Sequence, residues 1–290
     1  MKMETLQACI LCGGAAIRAA DPEGRLAACG ACGAVFDNPR PTLDEIVAFY
    51  SRPAQYDDWL ASGPARDRLW RRRLAKMARR AKAGSLLDIG AGIGQFLHHA
   101  GARFSPVAGT EVSASGIAVA AEKYGLALRQ GAVETIDFQG RRFSNITLFH
   151  VLEHVPAPRE TLQACHGLLE PGGKLFIAVP NDIASLGAIK RRLWRKLGLT
   201  RKHGAFGLPP ITLDGGMDEI HLCHFTPAVL GRFLESMGFE VEDLSLDPFY
   251  AASGTALAKY AFLYGCCSAF RALTGRNVYG TIWAAARRKA

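Results

Sequence analysis

The stretch Leu86-Leu87-Asp88-Ile89-Gly90-Ala91-Gly92-Ile93-Gly94-Gln95-Phe96-Leu97 constrains the fold more than any other. A short apolar run holds one acid, three glycines alternate with small or branched residues, and a helical pattern starts at Gln95. That order predicts a buried parallel strand, a tight turn and a helix N-terminus. Glycines at the turn let the backbone take positive φ and let a ligand approach where a Cβ would stand. The helix end adds N–H groups with no partner inside the helix. A flat, polar ligand of cofactor size is expected over this turn.

With 290 residues, 49% of them apolar and 21% charged, the chain is expected to hold one large α/β domain and a small appendage. The net charge of +9 is uneven, with nine cations and one acid in residues 66–82 and seven cations and no acid in residues 190–202. The N-terminus shows no signal-peptide pattern. No uncharged apolar run reaches the roughly 18–20 residues that span a bilayer. The nearest, Thr255 to Leu273, is interrupted by Lys259 and Arg271. A cytoplasmic, reducing location is expected, where paired cysteines more often hold metal than form disulfides.

Cys9-x-x-Cys12-Gly13 and Cys29-x-x-Cys32-Gly33 have the spacing of a four-thiolate zinc site. Four thiolates leave no open coordination position, so the zinc is structural. Arg18 to Leu26 reads as a hairpin around Asp21-Pro22-Glu23-Gly24, and residues 1–40 as a zinc ribbon. Residues 41–83 read as a helical linker. Thr42 and Glu45 form a capping-box pattern for a helix through Tyr50. A basic helix follows from Ala65 to Lys82, with Leu69, Trp70, Leu74 and Met77 on its apolar side. It is expected to be a solvated helix over one sheet face. The sharper alternative is a surface for an anionic substrate or a phosphate-bearing lipid.

Pro106 to Thr110 reads as a second strand ending in Glu111, about twenty residues past the glycine turn, where a carboxylate meets ribose hydroxyls. The dinucleotide fingerprint G-x-G-x-x-G is not matched, because the third glycine comes one residue early, at Gly94. The G-x-G-x-G form preceded by Asp88 resembles motif I of class I S-adenosylmethionine-dependent methyltransferases. Further parts follow in the family's order. They are a helix from Ser113 to Tyr124, a strand from Leu126 to Arg129, the segment Gly131-Ala132-Val133-Glu134, and a fourth strand Ile146 to Phe149. Ala132 and Asn145 stand where the family more often has Asp. His150-Val151-Leu152-Glu153-His154, the turn Leu168 to Gly173 and the strand Lys174 to Val179 resemble the subgroup that includes the ubiquinone-biosynthesis O-methyltransferases. The Asp/Asn-Pro-Pro-aromatic motif of many base and amide N-methyltransferases is absent from the end of strand four.

The resemblance implies residues 84–290 as an α/β, Rossmann-like, seven-stranded class I methyltransferase sheet with helices on both faces. It implies S-adenosylmethionine held by Asp88, Gly90, Ala91, Gly92 and Gly94, with Glu111 at the ribose, Val133 or Glu134 at the adenine, and Phe149 at the strand end. His150 is expected as the base, with His154 and His221 behind it, and a divalent cation near Glu153 is a candidate. Residues 185–225 are expected to form a lid or insertion, whose basic amphipathic part from Leu186 to Gly204 either covers the pocket or lies on an anionic membrane. Thr226-Pro227 opens a helix, Gly238 to Val241 a sixth strand, and Asn277 to Arg287 a closing antiparallel strand. Thr255 to Leu273 is expected to cover the sheet, and Cys165, Cys223, Cys266 and Cys267 to sit in the core. The expected function is methyl transfer to a hydroxyl of a small-molecule, glycan or lipid-linked acceptor, with the protein cytoplasmic or membrane-peripheral. The alternatives are an RNA methyltransferase gripping phosphates and a non-catalytic binding protein.

Overall fold

The computed structural model describes residues 2–51, 57–200, 204, 206–208 and 219–289. Of the expected lid, residues 201–203, 205 and 209–218 lie outside the described residues.

The N-terminal part holds β1 (Met3–Glu4), β2 (Ile17–Ala19), β3 (Leu26–Cys29), β4 (Val35–Asp37) and β5 (Arg40–Pro41). β2 and β3 form the expected hairpin. Asp21 closes its turn by accepting from the backbone N–H groups of Arg25 and Leu26 at 3.0 and 2.8 Å. Then come α1 (Leu43–Tyr50), α2 (Asp57–Ala61) and α3 (Gly63–Met77). Helix α1 starts after Thr42 as expected, but the Thr42 side chain makes no cap bond. The capping box does not form, because Glu45 Oε1 accepts from the Lys2 N–H at 3.0 Å instead. Pairing of β1 with β5 brings Lys2 there.

The main domain runs β6 (Leu86–Ile89), α4 (Gln95–Ala100), β7 (Val107–Glu111), α5 (Ala114–Tyr124), β8 (Arg129–Gln130) and β9 (Phe143–Phe149). It continues with α6 (Pro158–Leu168), β10 (Leu169–Pro180), α7 (Leu186–Lys196), β11 (Cys223–His224) and α8 (Pro227–Ser236). It closes with β12 (Phe239–Leu246), α9 (Gly254–Thr274) and β13 (Thr281–Arg288). The seven-stranded sheet has the order β12-β13-β10-β9-β6-β7-β8. β6 to β10 are mutually parallel, and β13 is antiparallel to both its neighbours. All seven residues of β9 are buried, as a central parallel strand requires.

Alternate strand residues feed two cores. Leu87, Ile146, Leu148, Ile177 and Ile282 pack with Leu162 of α6 and Leu230 and Phe233 of α8. Leu86, Phe149, Phe176 and Trp283 pack with Trp70 and Met77 of α3 and Phe96 of α4 on the opposite face. Helices therefore cover both faces, as expected. The ribbon joins the first core through Cys9, Leu11 and Phe36, and its sheet takes a fourth strand, β11, from the main domain.

Two expectations about helices need correction. The basic helix ends at Met77 and is not simply solvated, since Arg66 and Arg73 are buried. Arg73 and Asp247 are both fully buried and form an ion pair, with Arg73 Nε donating to Asp247 Oδ1 at 2.9 Å. The Trp70, Phe149 and Phe249 rings surround the guanidinium, each about 5 Å away. Secondly, Thr255 to Leu273 is helical but does not cover the sheet. Cys267 is the one buried residue of α9, and Cys266 is exposed rather than in the core. Only one side of the helix, at Tyr264 and Cys267, reaches Leu246 and Tyr279. Cys165 and Cys223 are buried as expected.

Replacing Asp247 by Ala strands a guanidinium away from water. Because removal of one partner of a buried pair is costly, stability is expected to fall by about 3–5 kcal/mol. A lower denaturant midpoint at unchanged m-value is the measurement.

Candidate active site at the carboxyl edge of the sheet

The carboxyl ends of β6, β7 and β9 open into a cavity of about 1180 Å³, bounded also by α1, α3 and the ribbon. Open α/β sheets place ligands at this edge. Asp88, Gly90, Ala91, Gly92, Glu111, Val133, Glu134, Phe149, His150, His154 and His221 all line it. Gly94 does not. A Cβ there would stand 2.7 Å from Leu126 Cδ1, so this glycine serves the packing of α4 on α5. At Gly90, with φ +65°, a Cβ would overlap the Val151 side chain.

Glu111 fastens the turn. Its carboxylate accepts from the N–H groups of Gly92, Val112 and Ser113 at 2.7, 2.8 and 2.9 Å. Three of its roughly four lone-pair sites are thereby used, leaving one for a ligand. Asp88 accepts from Thr147 Oγ1 at 2.6 Å. Burial, with Glu111 adding to it against the Thr147 bond, pushes the Asp88 carboxyl up to about 7. Glu134 accepts from Thr161 Oγ1 at 3.4 Å. Arg66 lies with its guanidinium 3.9 Å from the Trp59 ring, and both line the cavity beside Gly92. This half, with a glycine turn, two carboxylates and an aromatic face, fits a nucleoside carrying a charged tail.

The other half follows β9. His150 has φ +57°, a left-handed conformation that is rare outside glycine. The turn directs its ring toward α3, where Arg73 Nη2 donates to His150 Nε2 at 2.8 Å. That lone pair, expected to receive a proton, is thus already engaged. Burial first, and the Arg73 charge second, hold the imidazole neutral, well below its ordinary pKa. His150 Nδ1 is 3.2 Å from Glu153 Oε1. Glu153 is fully buried, and neither of its oxygens receives a hydrogen bond. Burial pushes its carboxyl up to about 8.

His154 Nδ1 lies 2.6 Å from the Ile220 carbonyl oxygen, an acceptor only, so the ring proton belongs on Nδ1. Its Nε2 lone pair then faces Glu153, 3.7 Å away. The Tyr50 hydroxyl sits 2.8 Å from the same Nδ1. His221 packs edge-on against His154 with centroids 4.9 Å apart. Glu153, His154 and His221 each offer a ligand atom within 4.8 Å of the others, an arrangement able to hold a metal ion. His150 is not in that set.

Asp182 ties this group together, with His221 Nδ1 at 3.0 Å and His224 Nδ1 at 3.1 Å from its Oδ2. Although burial acts the other way, hydrogen bonds from the two histidines hold Asp182 well below the usual carboxylate range. Asp182 and Asp37, overcoming burial, push His224 up to about 9. Asp37 belongs to ribbon strand β4, and His224 to β11, which pairs with it. Sequence reasoning missed Tyr50, Arg73, Asp182, Asp247 and Asp37. The Asp182 position two residues past β10 was a usable signal, and the other four carried none.

In the ribbon, Cys9 Sγ and Cys32 Sγ are 3.5 Å apart and Cys12 Sγ and Cys29 Sγ 3.6 Å, with all four sulfurs within 4.8 Å of one another. A tetrahedral zinc with Zn–S near 2.3 Å requires sulfurs about 3.8 Å apart. The cluster fits a zinc ribbon.

A family model described as "Methyltransferase domain" matches residues 64–244. A ubiquinone biosynthesis O-methyltransferase from Coxiella burnetii is 34% identical over 169 residues, which are 57% of this chain and 67% of that protein. One from Idiomarina loihiensis is 33% identical over 105 residues, 33% of this chain and 42% of that protein. The solved structure of an S-adenosylmethionine-dependent methyltransferase from Mesorhizobium loti shares the fold, with TM-score 0.51 and 18% identity, covering 74% of this chain and 96% of that one.

The cluster brings Cys9 and Cys12 against β3 and the turn before β4, so the Cys29→Ser variant is expected to bind no zinc there and to open residues 17–37 to protease. Elemental analysis of the purified chain and limited proteolysis check this. Retention of zinc at the ratio found in the unaltered chain, with unchanged cleavage, is the contrary result.

Proposed function

The chain belongs to the methyltransferase domain family and is an S-adenosylmethionine-dependent methyltransferase, and on that premise we propose that its acceptor is a hydroxyl of a small-molecule, glycan or lipid-linked compound. The observation that carries this reading is Glu153, a fully buried carboxylate with no hydrogen bond, beside three histidines at the end of β9. A buried carboxylate in that state requires a proton donor or a cation. A hydroxyl acceptor meets this need, and the two carboxylate oxygens and the imidazoles orient it.

Bound S-adenosylmethionine supplies an electrophilic methyl group on a sulfonium centre, so the protein's task is alignment of a nucleophile with that methyl. Asp88 would hold the cationic amino-acid end, Arg66 its carboxylate and Glu111 the ribose, and Val133 and Glu134 would flank the adenine. On the acceptor side, Glu153, His154 and His221 would hold a divalent cation. Their mixed nitrogen and oxygen donors suit a first-row transition ion better than magnesium. Such an ion, when bound, polarises a hydroxyl and eases loss of its proton. His150, with Nε2 engaged by Arg73, acts here as a positioning residue. Its ring packs beside Glu153, with Nδ1 3.2 Å from Oε1 but not aligned as a hydrogen bond. We also assign zinc to Cys9, Cys12, Cys29 and Cys32, in a structural role.

Glu153→Gln is expected to lower kcat at least about 100-fold and to weaken manganese binding, followed by its electron paramagnetic resonance signal. S-adenosylmethionine affinity should stay within about twofold, since Glu153 lies on the acceptor side. His150→Ala should lower kcat and leave cofactor affinity likewise. Equal losses of turnover and cofactor affinity in both variants would remove the assignment.

A pH effect follows from Asp88. Burial pushes its carboxyl up to about 7, and a cationic ligand favours the ionised form. Binding then releases a proton, so cofactor affinity rises as pH is raised through 7 and levels off above. Calorimetric titration from pH 6 to 8 measures it, and Asp88→Asn should flatten the profile.

A further inference from the structure

A helix at the surface of a soluble domain normally turns its apolar stripe inward. Helices α7 and α9 do the reverse. In α7 the single buried residue is Ala188, while Ile189, Leu193, Trp194 and, just past its end, Leu197 are exposed, Leu193 by 53%. In α9 Phe262 is 75% exposed and Leu273 86%, with Tyr260, Leu263 and Phe270 also outward. The two helices are neighbours in the fold. The Leu186 N–H at the start of α7 donates to the Val278 carbonyl, just past the end of α9, at 2.8 Å. Asn181, before α7, donates to the carbonyls of Asn277 and Tyr279 at 3.1 and 2.9 Å.

Charge around these stripes has one sign. α7 carries five cations in eleven residues and no acid, and α9 carries Lys259 and Arg271 and no acid. No acidic residue occurs between Asp182 and Asp214, or after Asp247. The cations of α7 also divide by direction. Arg191 Nε donates inward to the Gly207 carbonyl at 2.6 Å and Arg195 pairs with Glu23, whereas Lys190 and Lys196 are exposed beside the stripe. Lys190 Nζ lies 4.2 Å from the centre of the Trp194 ring. Among the described residues no helix is long and apolar enough to cross a membrane.

We propose that the outward faces of α7 and α9 together form a docking surface for an anionic lipid bilayer, with the apolar side chains in the headgroup layer. Exposed leucines and phenylalanines supply burial, Trp194 and Tyr260 suit the interface, and the lysines meet lipid phosphates. A second copy of this chain is a poorer occupant, because a twofold contact sets each patch against itself and opposes cations with cations. The proposal does not depend on the acceptor assigned above.

The test is co-sedimentation of the whole protein with vesicles of phosphatidylcholine, alone or mixed equally with phosphatidylglycerol. Binding to the mixed vesicles and much weaker binding to the neutral ones is expected. Partitioning should fall about fivefold for each cation reversed in Lys190→Glu and Lys196→Glu, and by at least a similar factor in Phe262→Ser and Leu273→Ser. The side chains being exposed, melting temperature and S-adenosylmethionine affinity should not change. The proposal is overturned by absence of binding to mixed vesicles, or by binding that none of the four substitutions weakens. It is also overturned if light scattering shows a doubled mass that Phe262→Ser returns to one chain, which would give this face to a second copy.

Discussion

The Arg73–Asp247 pair is the contact on which the half of the cavity around His150 and Glu153 depends. Two fully buried charges cost desolvation that their attraction only partly offsets, so such a pair serves position more than stability. Here it fastens α3, which precedes the main sheet in the chain, to the exit of β12 near its end. The same guanidinium holds His150 Nε2, and His150 in turn lies beside Glu153. The left-handed backbone at His150 is one more constraint that the surrounding packing has to maintain. A helix that reads as a basic surface element therefore forms one wall of the site.

The ribbon is a second support of this kind. Its sheet is completed by β11, and the pairing sets Cys223 opposite Phe36 and His224 opposite Val35. From β4, Asp37 reaches toward His224, which leads through Asp182 to His221. The ribbon thus meets the group around Glu153 through Asp37, His224 and Asp182. The half around the glycine turn has its own local fastening, Glu111 across to the Gly92 N–H, which joins the turns after β6 and β7.

These two halves differ in how far they could be read from residues alone. The strand, turn and helix at Leu86–Leu97, the carboxylate at Glu111, and the order of seven strands were legible. Each is carried by short-range periodicity, by backbone angles that glycine permits, or by regular spacing. The same local logic located α8 at Thr226-Pro227, where the threonine hydroxyl accepts from the Val229 N–H. It failed at Thr42, where the correct residue pattern was present but Glu45 found the Lys2 N–H instead. It failed again at α9, where an apolar run predicts burial and the fold offers too little surface to bury it against.

By itself the sequence determined the strand, glycine turn and helix at Leu86–Leu97, the four-thiol cluster and the seven strands, because each is encoded by neighbours within one strand–turn–helix unit or one ribbon. Only the tertiary structure decided that His221 joins His154 and Glu153 in one group of possible ligand atoms, and that Arg73 takes up the lone pair of His150. It also decided that α7 and α9 face outward. The physical reason is separation along the chain. Side chains about 70 to 170 residues apart meet only after strand order, loop path and ribbon docking are set, and no local pattern records that meeting.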